Sequence, residues 1–194
     1  SETKVRAIKR MQSNTNLVRQ IFSYYTEKAD LLFEKIEWVN ADLLNIPELD
    51  LAFQGITKVY HCAAWISFNP KHKGKMMQTN IEGTTNVVNL CLAHRIHKLC
   101  HVSSVASLGR TKDGSFTDEN TPWLNGPENS YYALSKYHSE VEVWRGAEEG
   151  LNAVIICPAI ILGPGKWEKG SSMLFKQVWN GLSFYTSGTN GFVD

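Results

Sequence analysis

The chain has 194 residues, 43% hydrophobic, 20% charged and 11% aromatic, with a formal net charge of +1. That is the length of one globular domain or slightly more, and it is apolar enough to bury a core, which excludes a disordered chain. The near-neutral charge argues against nucleic acid or an anionic membrane as the main partner, no apolar run reaches the roughly 20 residues of a membrane span, and the charged Ser1–Arg10 stretch lacks a signal-like apolar core.

In chain order, short β-branched runs alternate with longer helical patterns. A strand is predicted over Lys4–Ile8. A helix follows over Asn16–Tyr25, where Leu17, Val18, Ile21, Phe22 and Tyr25 recur at helical spacing. A strand over Ile36–Asn40 leads to a short helix over Pro47–Phe53, Pro47 being suited to a first turn. Next come a strand over Lys58–Cys62 and a long helix over Lys73–His94. A strand over Lys98–Ser103 is followed by a polar loop and a helix over Tyr132–Glu149 that Gly150 ends. A strand over Ala153–Cys157 and a helix over Ser172–Asn180 close the series. This alternation predicts right-handed βαβ units: an α/β fold with a doubly wound parallel sheet in three layers. The charges along Glu140–Glu149 read as a solvated helix face.

Four cysteines, Cys62, Cys91, Cys100 and Cys157, lie in apolar stretches without a CxxC pair, as buried free thiols in a reducing, cytoplasmic compartment do. Cys91, His94, His97 and Cys100 recur every third residue, a zinc-like set of residue types. The turn from helix to strand carries Cys100 away from His94, so no metal site is expected.

Ligands of such a sheet bind beyond the carboxyl ends of the strands. There the sequence gathers Lys9 and Arg10, then Asp42, then Ala63-Ala64-Trp65, then Ser103 to Ser107, then Pro158 to Gly165. Tyr132 and Lys136, four apart, share a helix face. A tyrosine of pKa about 10 is a poor acid or base at neutral pH, and an ammonium nearby favours its phenolate. Such a pair can move a proton during ketone reduction or alcohol oxidation. A serine hydroxyl at a strand end can hold the substrate oxygen beside it. Trp65, Phe68, Trp123 and Trp167 flank this edge, as an apolar substrate wall or as core and rim aromatics.

The ordered set resembles the extended short-chain dehydrogenase/reductases, which include sugar-nucleotide epimerases and dehydratases, dihydroflavonol-type reductases and 3β-hydroxysteroid dehydrogenases. Asp42-Leu43 is similar to the family's adenine-contacting acid, and His61-Cys62-Ala63-Ala64 to its motif under the cofactor. Asn80-Ile81-Glu82-Gly83-Thr84 is similar to its Asn-x-x-Gly-Thr segment, and Ser103 to Gly109 to its serine motif, with Ser104 as the catalytic candidate. Tyr132 and Lys136 match its Tyr-x-x-x-Lys pair, and Pro158 to Gly165, with Ile160 and Ile161, its loop beside the nicotinamide. The resemblance implies that Tyr132 donates or accepts the proton, that Lys136 tunes it and holds the nicotinamide ribose, and that Ser104 binds the reacting oxygen. Asn80 either supports the backbone or joins a proton relay. A homodimer through the two long helices is implied as well.

Two departures shape the expectation. Cys157 stands where many sugar-nucleotide members carry Arg before Pro, which favours a reductase over an epimerase. No Gly-rich phosphate loop is present, so residues 1–165 read as a nucleotide-binding domain without its first strand and glycine turn, and 166–194 as the start of a substrate lobe. The cofactor expected is NADP, with NAD possible, because Arg6, Lys9 and Arg10 precede any acid before Glu27 and Arg10 is placed to meet a 2′-phosphate. The leading function is thus an NAD(P)-dependent oxidoreductase acting on a small-molecule carbonyl or secondary alcohol. The alternatives are an NAD-dependent sugar-nucleotide epimerase or dehydratase, and a non-catalytic nucleotide-binding or scaffold protein if the glycine loop is truly lacking.

Overall fold

The computed structural model describes residues 4–67, 69–111, 116–168, 170–183 and 191–193. In chain order its elements are β1 (Val5–Lys9), α1 (Asn16–Tyr25), α2 (Ala29–Glu34), β2 (Ile36–Asn40), α3 (Ile46–Phe53) and β3 (Lys58–His61). They continue with α4 (Lys73–Met77), a π-helical turn (Gln78–Glu82), α5 (Gly83–Ala93), β4 (Lys98–Val102), α6 (Tyr131–Glu148) and β5 (Ala153–Ile156). Short β6 (Ile160–Ile161), α7 (Ser172–Trp179) and β7 (Phe192–Val193) complete the described chain. The chain divides into two compact units, Ser1–Ala41 with Ala159–Asp194, and Asp42–Pro158.

In the first unit β1 and β2 run parallel, with Val5 opposite Ile36 and Lys9 opposite Asn40. The connection between them holds α1 and α2, packed on each other. Leu17, Val18, Ile21 and Phe22 of α1 are half-buried while Tyr25 stays exposed. The α2 helix was not expected from the sequence. It has six residues and no side-chain cap, so little local signal marks it, and its place is set by contact: Ala29 is buried and the Phe33 ring lies 5.7 Å from that of Trp38. In the same unit β6 pairs in parallel with β7.

The second unit carries a parallel sheet in the order β3-β4-β5, with His61 opposite His101 and Val102 opposite Ile156. Side chains alternate across it. Leu99 and His101 face inward and are fully buried, together with Val88 and Cys91 of α5 and Val143 of α6. Tyr60, Val154 and Ile156 point to the other face and are exposed. Cys62 continues that second row, and this corrects the expectation that all four thiols are buried: Cys62 is exposed, Cys100 and Cys157 are half-buried, and Cys91 is buried. The helix expected over Lys73–His94 is broken by the π-helical turn around Asn80 and opens on a 3-10 turn, Pro70–His72, that the Asn69 side chain caps. Two glycines set the packing. A Cβ on Gly146 would stand 2.5 Å from Val88 Cγ1 at the α5–α6 crossing, and one on Gly83 would stand 3.1 Å from Leu43 Cβ.

Candidate active site

The carboxyl end of β4 runs into Ser103 and Ser104, then a single 3-10 turn, Val105–Ser107. Two backbone bonds tie this segment to the end of β5: Ser103 N–H donates to Ile156 O at 2.8 Å, and Val105 N–H donates to Pro158 O at 3.1 Å. The Ser104 hydroxyl oxygen accepts from Ala106 N–H at 3.2 Å, which caps the turn and fixes the side chain. A cavity of about 290 Å³ adjoins it, lined among others by Val105, Ala106, Gly109, Ser130 and Ala133.

The α6 helix starts under the Ser130 cap, whose hydroxyl accepts from Ala133 N–H at 3.1 Å. Its first turn presents the half-buried Tyr132, whose phenol is hydrogen-bonded to Ser104. Burial raises the Tyr132 pKa above 10, and the Ser104 bond, which favours the phenolate, opposes that rise. One turn on, the buried Lys136 ammonium donates to Val102 O at 2.8 Å. Burial lowers its pKa, while the negative charge of Glu140 works against that. The lysine thus anchors on the strand end rather than on the phenol.

Asn80 sits in the π-helical turn, almost fully buried. Its Oδ1 accepts from Trp65 N–H at 2.7 Å, and its Nδ2 donates to Trp65 O at 3.0 Å and to Ser135 Oγ at 2.9 Å. Ser135 Oγ in turn donates to Tyr132 O at 2.8 Å. The amide therefore links the loop after β3 to the helical turn that carries Tyr132. A π-helical turn of this kind frees carbonyls, and Asn80 O accepts from Thr84 and Ser139 hydroxyls at 2.7 and 2.8 Å.

The remaining expected residues are spread over the two units. Asp42 Oδ1 accepts from Leu44 N–H at 3.0 Å, and buried Leu43 has its carbonyl bound by Asn86 Nδ2 at 2.8 Å. Cys62, Ala63 and Ala64 follow β3 and are exposed. In the other unit Arg6 pairs with Glu37 at 3.0 Å, Lys9 donates to Asn40 Oδ1 at 2.8 Å, and Arg10 is exposed just past β1. Ile160 and Ile161 are exposed and pair with Phe192 and Val193. Trp65 stacks on His72 and Trp123 on Tyr137, Trp167 is exposed, and Phe68 lies outside the described residues. His94 bonds Asp50 at 2.7 Å, and among the described residues no group of three or more metal-type side chains comes together.

One residue here escaped the sequence reading. Glu140 was grouped with a solvated run, yet it is buried, because it lies two turns from Tyr132 on the inward face of α6. Ser107 Oγ donates to Glu140 Oε1, and Cys157 Sγ donates to the same oxygen at 3.5 Å. Its spacing from Lys136, four residues on the same face, was the available signal.

Comparison with known proteins gives a consistent result. The family model described as the NAD dependent epimerase/dehydratase family matches residues 3–183. A putative dihydroflavonol 4-reductase of Synechocystis is 32% identical over 129 residues, 66% of this chain and 37% of the relative. The 3beta-hydroxysteroid-dehydrogenase/decarboxylase isoform 1 of Arabidopsis thaliana is 30% identical over 132 residues, 68% of this chain and 30% of the relative. The chain thus matches about a third of the length of these curated relatives. The Bordetella bronchiseptica enzyme WbmG, solved in complex with NAD, superposes with a TM-score of 0.73 at 17% identity, covering 98% of this chain and 56% of that one. At that identity the likeness shows the fold, a Rossmann-type α/β arrangement.

Proposed function

The chain belongs to the NAD-dependent epimerase/dehydratase family, and on that premise we propose that it is part of an NAD(P)-dependent oxidoreductase that reduces a carbonyl or oxidises a secondary alcohol. The observation that carries the reading is the Ser104–Tyr132 hydrogen bond over the end of β4, with Lys136 one helical turn away and anchored on Val102 O. The residues present suit a dinucleotide. Asp42 offers a carboxylate for hydroxyl or amino groups, Cys62-Ala63-Ala64 offers small exposed side chains against which a flat ring can lie, and Lys136 and Tyr132 offer an ammonium and a phenol. Pro158, Ile160 and Ile161 are assigned to the nicotinamide side by the same resemblance, and Arg10 to a 2′-phosphate, which makes NADP the preferred form.

When bound, the nicotinamide supplies or takes up the hydride. Ser104 Oγ holds the substrate oxygen, and Tyr132 Oη gives it a proton in reduction or removes one in oxidation. Lys136, on the same face of α6, is assigned by the resemblance to favour the phenolate when it forms. Asn80 supports the helical turn that carries Tyr132, through Ser135, and ties it to the Trp65 backbone. The cavity beside Val105 and Ala133 suits the substrate's apolar part. A non-catalytic role is not favoured, since the matching relatives carry reductase and dehydrogenase names. We further propose a cytoplasmic protein, from its unpaired thiols, and a homodimer.

The test is oxidation of NADPH by a panel of simple ketones and aldehydes. Tyr132→Phe should cut kcat by about two orders of magnitude or more. Copurified NAD with turnover of a nucleotide sugar, and none of the carbonyl panel, would instead make the protein an epimerase or dehydratase. For the cofactor, Arg10→Glu should weaken NADPH binding by about tenfold and spare NADH, read as protein fluorescence quenching. Equal binding of both cofactors before and after the change removes Arg10 from the assignment.

A further inference from the structure

We propose that Glu140 is a positioning residue for the proton-transfer group, a buried carboxylate one helical turn past Lys136 that clamps the Ser104-bearing turn through Ser107. The inference rests on the reading in which Ser104, Tyr132 and Lys136 carry the chemistry.

Tyr132, Lys136 and Glu140 recur every fourth residue, so all three lie along one stripe of α6. The carboxylate at the end of that stripe is only 9% exposed, and a buried charge persists only when its environment satisfies it. Three separate segments do so here. Ser107, from the turn after β4, donates its hydroxyl to Glu140 Oε1, and Cys157, just past β5, donates its thiol to the same oxygen at 3.5 Å. The third is Lys136, one helical turn earlier on α6 itself; burial lowers its pKa and the Glu140 charge opposes that fall.

The link to Ser104 is short. Ser107 Oγ also lies 2.6 Å from Ser104 O and 3.2 Å from Ser103 Oγ. One hydroxyl proton thus faces two acceptors, the Ser104 carbonyl and the Glu140 carboxylate. Moving Glu140 moves Ser107, and with it the backbone from which the Ser104 hydroxyl reaches Tyr132. None of these atoms needs to touch a substrate. The titratable groups around Lys136 are Glu140 on its own helix, Cys62 after β3, Cys157 after β5, and His61 and His101 on β3 and β4. Glu140 exerts the largest influence that favours the charged lysine.

Two variants separate the clamp from the charge. Glu140→Gln keeps shape and a hydrogen-bond acceptor but removes the charge, whereas Ser107→Ala removes the clamp and leaves the charge. Both should lower kcat about tenfold with KM changed less than twofold. The alkaline limb of the kcat profile should move to lower pH in Glu140→Gln, because Lys136 then loses its proton more readily, and to higher pH in Ser107→Ala, where the Ser104 bond that favours the phenolate is loosened. If Glu140→Gln does not fold, Ser107→Ala alone decides through kcat. If no carbonyl probe turns over, NMR titration of tyrosine labelled at Cζ decides instead: the Tyr132 phenol should titrate higher in Ser107→Ala, and an unchanged titration overturns the proposal. Tyr132→Phe is run alongside. If it keeps the parent kcat, the underlying reading has failed and Glu140 has nothing to position. If it abolishes turnover while kcat of both other variants stays within twofold and the alkaline limb is unmoved, the underlying reading stands and the Glu140 proposal is overturned.

Discussion

Tyr132 is subject to two opposing influences, burial that disfavours its phenolate and a Ser104 hydrogen bond that favours it. The sign of a pH effect follows. In the oxidative direction the phenolate is the base, so the rate climbs with pH through the phenol's pKa. Ser104→Ala removes the influence that lowers that pKa, so the climb should move to higher pH while kcat falls by about two to three orders of magnitude. A climb that stays in place or moves down would detach Ser104 from the phenol. Asn80→Ala should leave buried Ser135 and the Trp65 backbone short of partners, lowering stability by about 1–3 kcal/mol in thermal melts. Helical spacing put Tyr132 and Lys136 on one face in the sequence, whereas Ser104 was singled out by the resemblance to the family's serine motif; the fold brings its hydroxyl to the phenol. The destination of the Lys136 ammonium, on Val102 O, was not legible, since it depends on how α6 packs on β4. Nor was the burial of Glu140: local charge pattern marks a solvated face, and only the neighbouring turn makes that position internal.

At the scale of elements, β1 to β5 announced themselves by β-branched runs and lie within a residue of their expected bounds, while the two-residue β6 and β7 were not expected. The short α2 and the π-helical turn were silent because both are set by tertiary contact, α2 by the Phe33–Trp38 pair and the turn by bonds to Asn80. Between helices, the α5–α6 crossing depends on Gly146. Gly146→Ala brings a methyl to 2.5 Å from Val88 Cγ1, and this overpacking should cost about 1–3 kcal/mol in denaturant unfolding. Within the sheet, His61 and His101 stand opposite each other on β3 and β4, rings 5.2 Å apart. His61 Nε2 must donate to Thr84 Oγ1, because that hydroxyl spends its own proton on Asn80 O. From 6.5, burial with the nearby Lys136 charge pushes the His61 pKa down to about 4, and burial with His61 and then Lys136 pushes that of His101 down to about 3. The unfolded chain binds these protons first, so the stabilising share of both neutral rings is complete above pH 6.5 and is lost as pH falls toward 4. The expected slope is on the order of 1 kcal/mol per pH unit for each histidine. In His101→Leu the fall in stability between pH 7 and 5 should be about half as steep; an identical slope would place the acid sensitivity elsewhere.

For the whole molecule, the question is what covers its remaining apolar surface. No helix among the described residues is long and apolar enough to cross a membrane. The α6 helix, whose stripe carries Tyr132, Lys136 and Glu140, exposes Val141 and Trp144 towards its C-terminal end, Trp144 at 59%. A large aromatic left in water beside a second apolar residue one turn away is what an association surface looks like, since tryptophan anchors often dominate such interfaces. The face lies beside α5, to which Arg145 is bound through Asn89 Oδ1 at 2.8 Å, so the surface is held rigid before any partner arrives. A symmetric pair of copies meeting through α6 would bury the same two residues on each side. Sedimentation velocity tests the idea. Trp144→Glu should weaken self-association by about two orders of magnitude, because a carboxylate would be carried into an apolar contact. Its NADPH affinity should stay unchanged, since the exposed Trp144 lies about three helical turns along α6 from Tyr132. A sedimentation profile that the substitution does not alter would remove α6 from the proposed pairing of two copies of this chain.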